Sequence, residues 1–255
     1  GEQGSEAILA VYPNAVYGWI RSVSGTYYTG FLSSHDNEVS SGPAICVFNE
    51  STASERPGWM CGTSDPAVIQ RPHKSRKIEN STQALVSISV ELEGDTDYYT
   101  DHNNDADDAT EYAEAVIAAV NTIYKRDLGA VLKIANWTLW ETTDPYTSTS
   151  ADKLLGQFRQ YWVTNNTNRP RTIAHLLSGI NDLGGIAYLE SLCDTNYGYS
   201  VSGVTSKATY PAAGYVWDTD VVAHEIGHNI GSPHTHSCSW QPAIDSCYKS
   251  EGGCF

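Results

Sequence analysis

The stretch that decides the fold is residues 224–236, which read H-E-I-G-H-N-I-G-S-P-H-T-H. On a helix, His224 and His228 lie four residues apart, so both imidazoles project from one face and can bind the same metal ion. Glu225 follows the first histidine, where a carboxylate can reach a water molecule next to that metal. The pattern therefore predicts a helix that holds a metal ion beside a carboxylate.

The residues after this helix supply a third ligand. Gly231 can adopt the positive φ that turns a chain out of a helix. His234 can then return to the same ion, and three histidines leave one position of a tetrahedral zinc open for water. His236 is the alternative third ligand, although the spacing favours His234. The competing interpretation of the whole stretch is a polar helix with hydrogen-bonded surface histidines.

The long form H-E-x-x-H-x-x-G-x-x-H is the metzincin signature. The chain therefore resembles a metzincin zinc endopeptidase, and V-V-A-H-E together with Asn229 resembles the adamalysin/reprolysin (ADAM-like) branch. An astacin-like or matrixin-like protease is the alternative branch. The resemblance implies zinc as the cofactor, with His224, His228 and His234 as ligands and Glu225 as the general base.

A second motif lies far upstream. Residues 57–63 read P-G-W-M-C-G-T and resemble the cysteine-switch segment P-x-M-C-G of ADAM-type prodomains, with Gly58 as an extra residue. Because a thiolate is a strong zinc ligand, Cys61 would fill the fourth position and exclude water, as an inhibitory switch. The alternatives are a disulfide between Cys61 and Cys46, or a simple buried thiol.

Residues 71–77, R-P-H-K-S-R-K, carry four of the fifteen Lys and Arg residues of an otherwise acidic chain. We interpret them as a linker that a basic-specific processing protease cuts after Arg76 or Lys77. The alternative is a solvated charge run. Residues 1–77, with short β-like runs and no helical period, are then a β-rich prodomain that inhibits its own enzyme, and residues 78–255 are the catalytic domain.

The catalytic part alternates strand and helix patterns. The predicted strands are 83–93, 130–140, 171–178 and 184–193, and the predicted helices are 108–127 and 151–163. We therefore expect an α/β metzincin domain, a mixed twisted sheet with long helices and an active-site zinc helix. His175 is interpreted as a core histidine. The acidic loop 101–108 offers a helix cap at Asp107 or Asp108, and calcium is the alternative use of this loop.

The resemblance also implies that residues 186–192 border the cleft and pair with an extended peptide substrate. The alternative is an edge blocked by loops, and no single substrate-binding residue is assigned. Met60 is the only methionine, so we expect the catalytic domain to lack its C-terminal Met-turn segment. Cys193, Cys238, Cys247 and Cys254 can pair among themselves in three ways, and the alternative is that one of them has a partner beyond Phe255.

A formal net charge of −15 argues against nucleic acid and anionic membranes as partners. No apolar run approaches the length of a membrane span. Six cysteines and four N-x-S/T sequons, at Asn49, Asn80, Asn136 and Asn165, favour a secreted, disulfide-bonded glycoprotein. The sequence thus predicts a secreted zinc endopeptidase in zymogen form. The rival is a catalytically silent zinc-binding or adhesion module, which Glu225 argues against and the missing Met-turn favours.

Overall fold

The computed structural model describes residues 5–13, 15–31, 45–53, 60–65, 85–206, 214–240 and 244. The basic run 71–77 and the boundary predicted after it lie outside these residues. So do Pro57 and Gly58 of the switch motif, the Asn80 sequon, Cys247 and Cys254.

A four-stranded antiparallel sheet is built by the first part of the chain, in the order β1-β2-β3-β4. Its strands are β1 (Glu6–Val11), β2 (Val16–Ser22), β3 (Gly25–Phe31) and β4 (Ile45–Asn49), followed by a 3-10 turn at Glu50–Thr52. Ile8, Trp19, Tyr28 and Phe48 form one row across the sheet, and all four are buried. Because alternate residues of a strand face the same side, this row gives the sheet an apolar face.

The second sheet has five strands in the order β6-β5-β7-β9-β8. Its strands are β5 (Val86–Gly94), β6 (Ala130–Leu139), β7 (Ile173–Ser178), β8 (Gly185–Ala187) and β9 (Tyr199–Gly203). The helices are α1 (Thr96–Asp101), α2 (Ala106–Asp127), α3 (Ala151–Asn165) and α4 (Gly214–Ile230). All strand pairs are parallel except the edge strand β8, which runs antiparallel to β9. The predicted α/β architecture with a mixed sheet and long helices is confirmed.

Helices cover both faces of this sheet. Ile173 and Leu177 of β7 pack in a core shared with α2 and α4, whereas Ala174 and Leu176 pack against α3. This two-sided burial explains why the strand is apolar at nearly every position. His175 lies between them, fully buried and 2.7 Å from the Ser200 hydroxyl, and burial lowers its pKa to about 3. The core interpretation of His175 is confirmed.

The first sheet packs on the outer side of α2 and α4. The Tyr17 ring of β2 lies 5.1 Å from the Tyr112 ring of α2 and 5.7 Å from the Tyr215 ring of α4. Its hydroxyl lies 3.4 Å from a carboxylate oxygen of Asp108. Buried residues of both sheets therefore share one core, which includes the helix that carries the histidine motif.

The cap of α2 differs from the prediction. Asp105 is the N-cap, and its side chain accepts hydrogen bonds from the backbone N–H groups of Asp107 and Asp108. Those two residues lie in the first helical turn, so the predicted cap was wrong. An acidic residue is favourable in either place, since both face the positive end of the helix dipole. The sequence pattern alone does not separate them.

The predicted strand 184–193 is also corrected, because only Gly185–Ala187 pairs with β9. The chain then turns, with Glu190 and Cys193 at positive φ. The N–H of Glu190 donates to the carbonyl oxygen of His228 at 2.8 Å. At this point the chain has left the sheet and contacts the C-terminal end of α4. Strand β9 was not predicted, although Tyr199 and Val201 alternate with serines, because five residues with two apolar side chains give a weak signal; in the fold all five residues are buried.

Candidate metal centre

Helix α4 fixes the position of the histidine motif. Val221, Val222 and Ile226 are buried in the core below it, which leaves His224 and His228 on another face. The helix ends at Ile230, and Gly231 follows at a φ of 111°. The predicted exit at Gly231 is therefore confirmed, and it returns the chain towards the helix face.

Four predicted site residues converge at this face. The Nε2 atoms of His224 and His228 are 2.9 Å apart, and the His234 ring centroid lies 4.6 Å from that of His228. The Sγ of Cys61 lies 3.5 Å from Nε2 of His228. One possible ligand atom from each of the four residues lies within 4.8 Å of the others. Three imidazoles and one thiol at this spacing match the ligand set of a tetrahedral zinc site.

Burial and neighbouring charges at the cluster favour the neutral forms of His224, His228 and Cys61. Burial, and then the neighbouring histidines, lower the pKa of His224 to about 3. Burial likewise lowers the pKa of His228 to about 4. Both imidazoles are therefore neutral at pH 7, which is the form that binds metals. Burial, and then the charge of Glu225, raise the pKa of the Cys61 thiol, and a divalent cation would act in the opposite direction by favouring the thiolate.

Two histidines are oriented from outside the cluster. The Nδ1 of His228 lies 2.6 Å from the carbonyl oxygen of Ser232, so this nitrogen is the donor and Nε2 faces the cluster. The Nδ1 of His234 lies 3.1 Å from Oδ2 of Asp65. Outer partners of this kind fix the tautomer and ring orientation of metal-binding histidines. The residues present fit a zinc ion.

Glu225 is fully buried beside the cluster. Its Oε2 lies 3.7 Å from Sγ of Cys61 and 3.4 Å from Oγ1 of Thr63. Gly185 faces it from the edge strand, where a Cβ atom would overlap Oε1. The carboxylate thus occupies a narrow space between α4 and β8.

Residues 60–65, which we call the switch segment after the role predicted for Cys61, cross in front of the edge strand. Cys61 forms a parallel β-bridge with Gly185, and the N–H of Gly62 donates to the Gly185 carbonyl oxygen at 2.8 Å. The Ala187 N–H donates to Oγ1 of Thr63 at 2.9 Å. The segment therefore bonds to Gly185 and Ala187, at the start of the edge (residues 186–192) that the resemblance assigned to an extended substrate and for which a blocked edge was the alternative.

The thiols settle two alternatives. Cys46 and Cys61 are both thiols, so the proposed disulfide between them is wrong. The Cys46 thiol instead lies 3.4 Å from the carbonyl oxygen of Gly30. Cys193 is an exposed thiol, which excludes the three schemes in which four cysteines pair among themselves.

His236 does not join the cluster with His224 and His228. Its ring stacks on that of His234 at 5.1 Å, and it groups with Asp65 and His234.

Sequence reasoning missed three residues that shape the site. Thr63 and Asp65 were not assigned roles, although they follow Cys61 at two-residue steps in an extended segment. Asn229 was noted only for the resemblance. Its buried amide donates to the carbonyl oxygens of Tyr188, just after β8, at 2.9 Å and of Tyr199 in β9 at 3.0 Å, and so ties α4 to this side of the sheet.

The chain resembles known proteins over most of its length. A family model described as Reprolysin_5, metallo-peptidase family M12, matches residues 85–255. Snake venom metalloproteinase H5 of Deinagkistrodon acutus is 23% identical over 243 residues, which is 91% of this chain and 58% of that protein. Snake venom metalloproteinase acutolysin-C of the same species is 22% identical over 247 residues, 91% of this chain and 56% of that protein.

One solved structure shows the same fold. The crystal structure of metalloproteinase-II from Bacteroides fragilis superposes with a TM-score of 0.50 at 12% identity, and covers 94% of this chain and 73% of its own. The chain therefore spans somewhat more than half the length of the two snake venom relatives, and more of the bacterial structure.

Proposed function

Because this chain belongs to metallo-peptidase family M12, we propose that it is a zinc-dependent endopeptidase held latent by Cys61. The observation that carries this proposal is the convergence of His224, His228 and His234 beside the buried carboxylate of Glu225. A purely structural zinc site has no use for that carboxylate, whereas a hydrolase needs it. Proteins or peptides are the substrates.

The three histidines would hold the zinc, which supplies a Lewis acid that polarises the scissile carbonyl and lowers the pKa of water. Glu225 would act as general base, taking a proton from the attacking water and passing it to the leaving amine nitrogen. Its burial beside the three histidines supports this role, because it places the carboxylate next to the position of the metal. Asn229 would hold the helix against β8, so that a peptide paired with that edge lies next to Glu225.

In the latent form, the thiol of Cys61 and the hydroxyl of Thr63 contact Glu225. They leave its Oε2 without access to a substrate water. Residues 1–77 would form the prodomain, and a processing protease would cut at the basic run 71–77. We also propose secretion, glycosylation at sequons such as the exposed Asn165, and disulfide bonding in the C-terminal part. Calcium is a further candidate ion without assigned ligands.

Within the described residues, no helix is long and apolar enough to cross a membrane. The snake venom relatives and the sequons support the proposed secretion of this chain.

The general-base role is tested in a full-length Cys61→Ala chain loaded with zinc. We expect this chain to cleave a quenched peptide, and Glu225→Ala or Glu225→Gln in the same background to lower the rate by roughly a hundredfold or more. Zinc content, measured by atomic absorption, should stay at that of the parent. His224→Ala is the matched control, since it should lose zinc as well as cleavage.

Retained cleavage by the zinc-loaded Glu225→Ala chain would remove Glu225 from the mechanism.

Zinc-edge X-ray absorption on the unaltered chain tests the switch. We expect nitrogen neighbours together with one sulfur at about 2.3 Å. A site with only nitrogen and oxygen neighbours would contradict the role of Cys61.

A further inference from the structure

The switch segment presents more than one residue to the site. In an extended chain, alternate side chains point to the same side. Cys61, Thr63 and Asp65 follow this rule, and each contacts a different member of the site. Their joint role rests on the proposed function, because it concerns how that same site is held latent.

Thr63 contacts the general base and the strand edge together. Its Oγ1 accepts a hydrogen bond from the Ala187 N–H at 2.9 Å. The hydroxyl proton has two acceptors in reach, Oε2 of Glu225 at 3.4 Å and the Ala187 carbonyl oxygen at 3.3 Å. The Thr63 side chain thus makes the hydrogen bonds to Ala187 of β8 that the backbone of a bound peptide would make, and it also covers the Glu225 carboxylate.

Asp65 holds the third histidine at two points. Its Oδ1 accepts a hydrogen bond from the backbone N–H of His234 at 3.1 Å, and its Oδ2 lies 3.1 Å from Nδ1 of the same residue. The Asp65 and His234 side chains are 15% and 4% exposed, respectively, so water competes poorly for this contact. The carboxylate fixes both the backbone and the ring of the residue that returns after the turn at Gly231.

We propose that latency is carried by three alternate residues, with Cys61 on the metal position, Thr63 on the general base and Asp65 on the outer face of His234. Removing the Cys61 thiol then releases the site only in part, since Thr63 still covers Glu225 and the strand edge. Asp65 in turn strengthens metal binding in the latent chain, because a carboxylate hydrogen-bonded to the far side of a histidine fixes the orientation of its ring towards the metal.

Zinc retention tests Asp65 without any need for peptide cleavage. The full-length chain and its Asp65→Asn variant are titrated with a zinc-competing chelator, and the zinc remaining on the protein is measured. We expect Asp65→Asn to lower zinc affinity roughly tenfold. Asp144→Asn is the matched control and should leave affinity unchanged, since Asp144 is also partly buried and accepts two backbone N–H groups far from the site.

Peptide cleavage at saturating zinc tests Thr63. In the Cys61→Ala chain, Thr63→Val removes the hydroxyl at nearly constant volume, and we expect the rate to rise roughly tenfold, the effect of one hydrogen bond to a charged group. Thr63→Ser keeps the hydroxyl and should stay close to the parent. Circular dichroism confirms that each variant is folded.

The proposal is overturned if Asp65→Asn keeps the zinc affinity of the parent, or if Thr63→Val and Thr63→Ser cleave at the same rate as Cys61→Ala. Failure of the proposed function looks different. In that case the Cys61→Ala chain and both Thr63 variants bind zinc but cleave nothing, while the chelator titration still reports on Asp65.

Discussion

His175 is a neutral, fully buried base on β7, the central strand of the second sheet. Its pKa in the folded chain is lowered to about 3, against 6.5 for an exposed histidine. As the pH falls below 6.5, the unfolded chain takes up a proton that the folded chain does not. The free energy of unfolding therefore falls with acidification, and this residue alone accounts for about 1.4 kcal/mol per pH unit within that window.

The variant His175→Gln isolates this effect. Glutamine does not titrate and can still form a hydrogen bond with Ser200, so we expect its stability to decline less steeply between pH 6 and 4 than that of the parent, by the same slope of about 1.4 kcal/mol per unit. Denaturant unfolding at several pH values measures both chains. Parallel pH profiles would show that His175 is already charged in the folded protein.

Positions in the site were predictable from spacing alone where the motif is local, whereas the distant Cys61 was placed there by its resemblance to a family motif. His224, Glu225 and His228 lie within one turn of helix, so their spacing alone places them together. Asp65 lies 169 positions before His234, and Thr63 lies 162 positions before Glu225. No pattern within the sequence reports contacts at such separations, although the two-residue step from Cys61 offered a hint.

At the scale of elements, strand β8 and helix α4 approach so closely that one position admits no side chain. Gly185→Ala would place a Cβ against the Glu225 carboxylate. In the zinc-loaded Cys61→Ala background we expect the displaced carboxylate to lower peptide cleavage roughly tenfold or more, with a stability cost of about 1–3 kcal/mol from overpacking. Cleavage rate, zinc content and the unfolding midpoint are measured together.

Gly156→Ala is the control for that substitution. Gly156 lies in α3, and a Cβ there meets nothing within 4 Å. Replacing glycine with alanine inside a helix should stabilise the chain by about 0.5–1 kcal/mol and leave cleavage unchanged. Equal cleavage by the Gly185→Ala and Gly156→Ala chains would contradict the close approach of β8 to the carboxylate.

Elements with a clear apolar pattern were predicted well, including the fully buried strand β7, whereas the burial of polar side chains was not predicted. In α3 the spacing of Leu154, Leu155, Phe158 and Trp162 marks the buried face, and the helix was predicted within two residues of its end. Strand β5 was placed from alternation, yet Glu91 and Glu93 on its polar side are buried as well. Arg169 pairs with Glu91 at 2.8 Å, and Trp140 and Tyr146 donate to Glu93. Partners so distant along the chain produce no periodic pattern in the sequence, so the burial of these glutamates could not be predicted from it.

At the scale of the whole molecule, the first sheet and the helices beneath it share a core through Tyr17. Tyr17→Ala should remove the ring contacts with Tyr112 and Tyr215 and lower stability by about 3–5 kcal/mol, as for other buried aromatic residues. Because the switch segment comes after this sheet in sequence, we also expect the full-length chain to gain peptide cleavage. Tyr17→Phe keeps the ring and should change neither property by much.

Unfolding midpoints and peptide-cleavage rates of these two variants test whether the packing of Tyr17 contributes to stability and to latency. If Tyr17→Ala is destabilised but remains as silent as the parent, the first sheet contributes to folding without contributing to latency. If both variants match the parent, the packing between the sheet and the helices is weaker than the ring distances indicate.

The shared core has a consequence for activation. The proposed cut within residues 71–77 would break one peptide bond, but it would leave the core that buried Ile8, Tyr17 and Trp19 share with residues of the helices in place. The product of that cut would therefore be a non-covalent complex between two pieces of one chain. The rate of peptide cleavage after the cut would be limited by dissociation of the smaller piece, and it would depend on protein concentration. A nicked sample kept concentrated should not cleave peptide, whereas the same sample after dilution should become active with a lag.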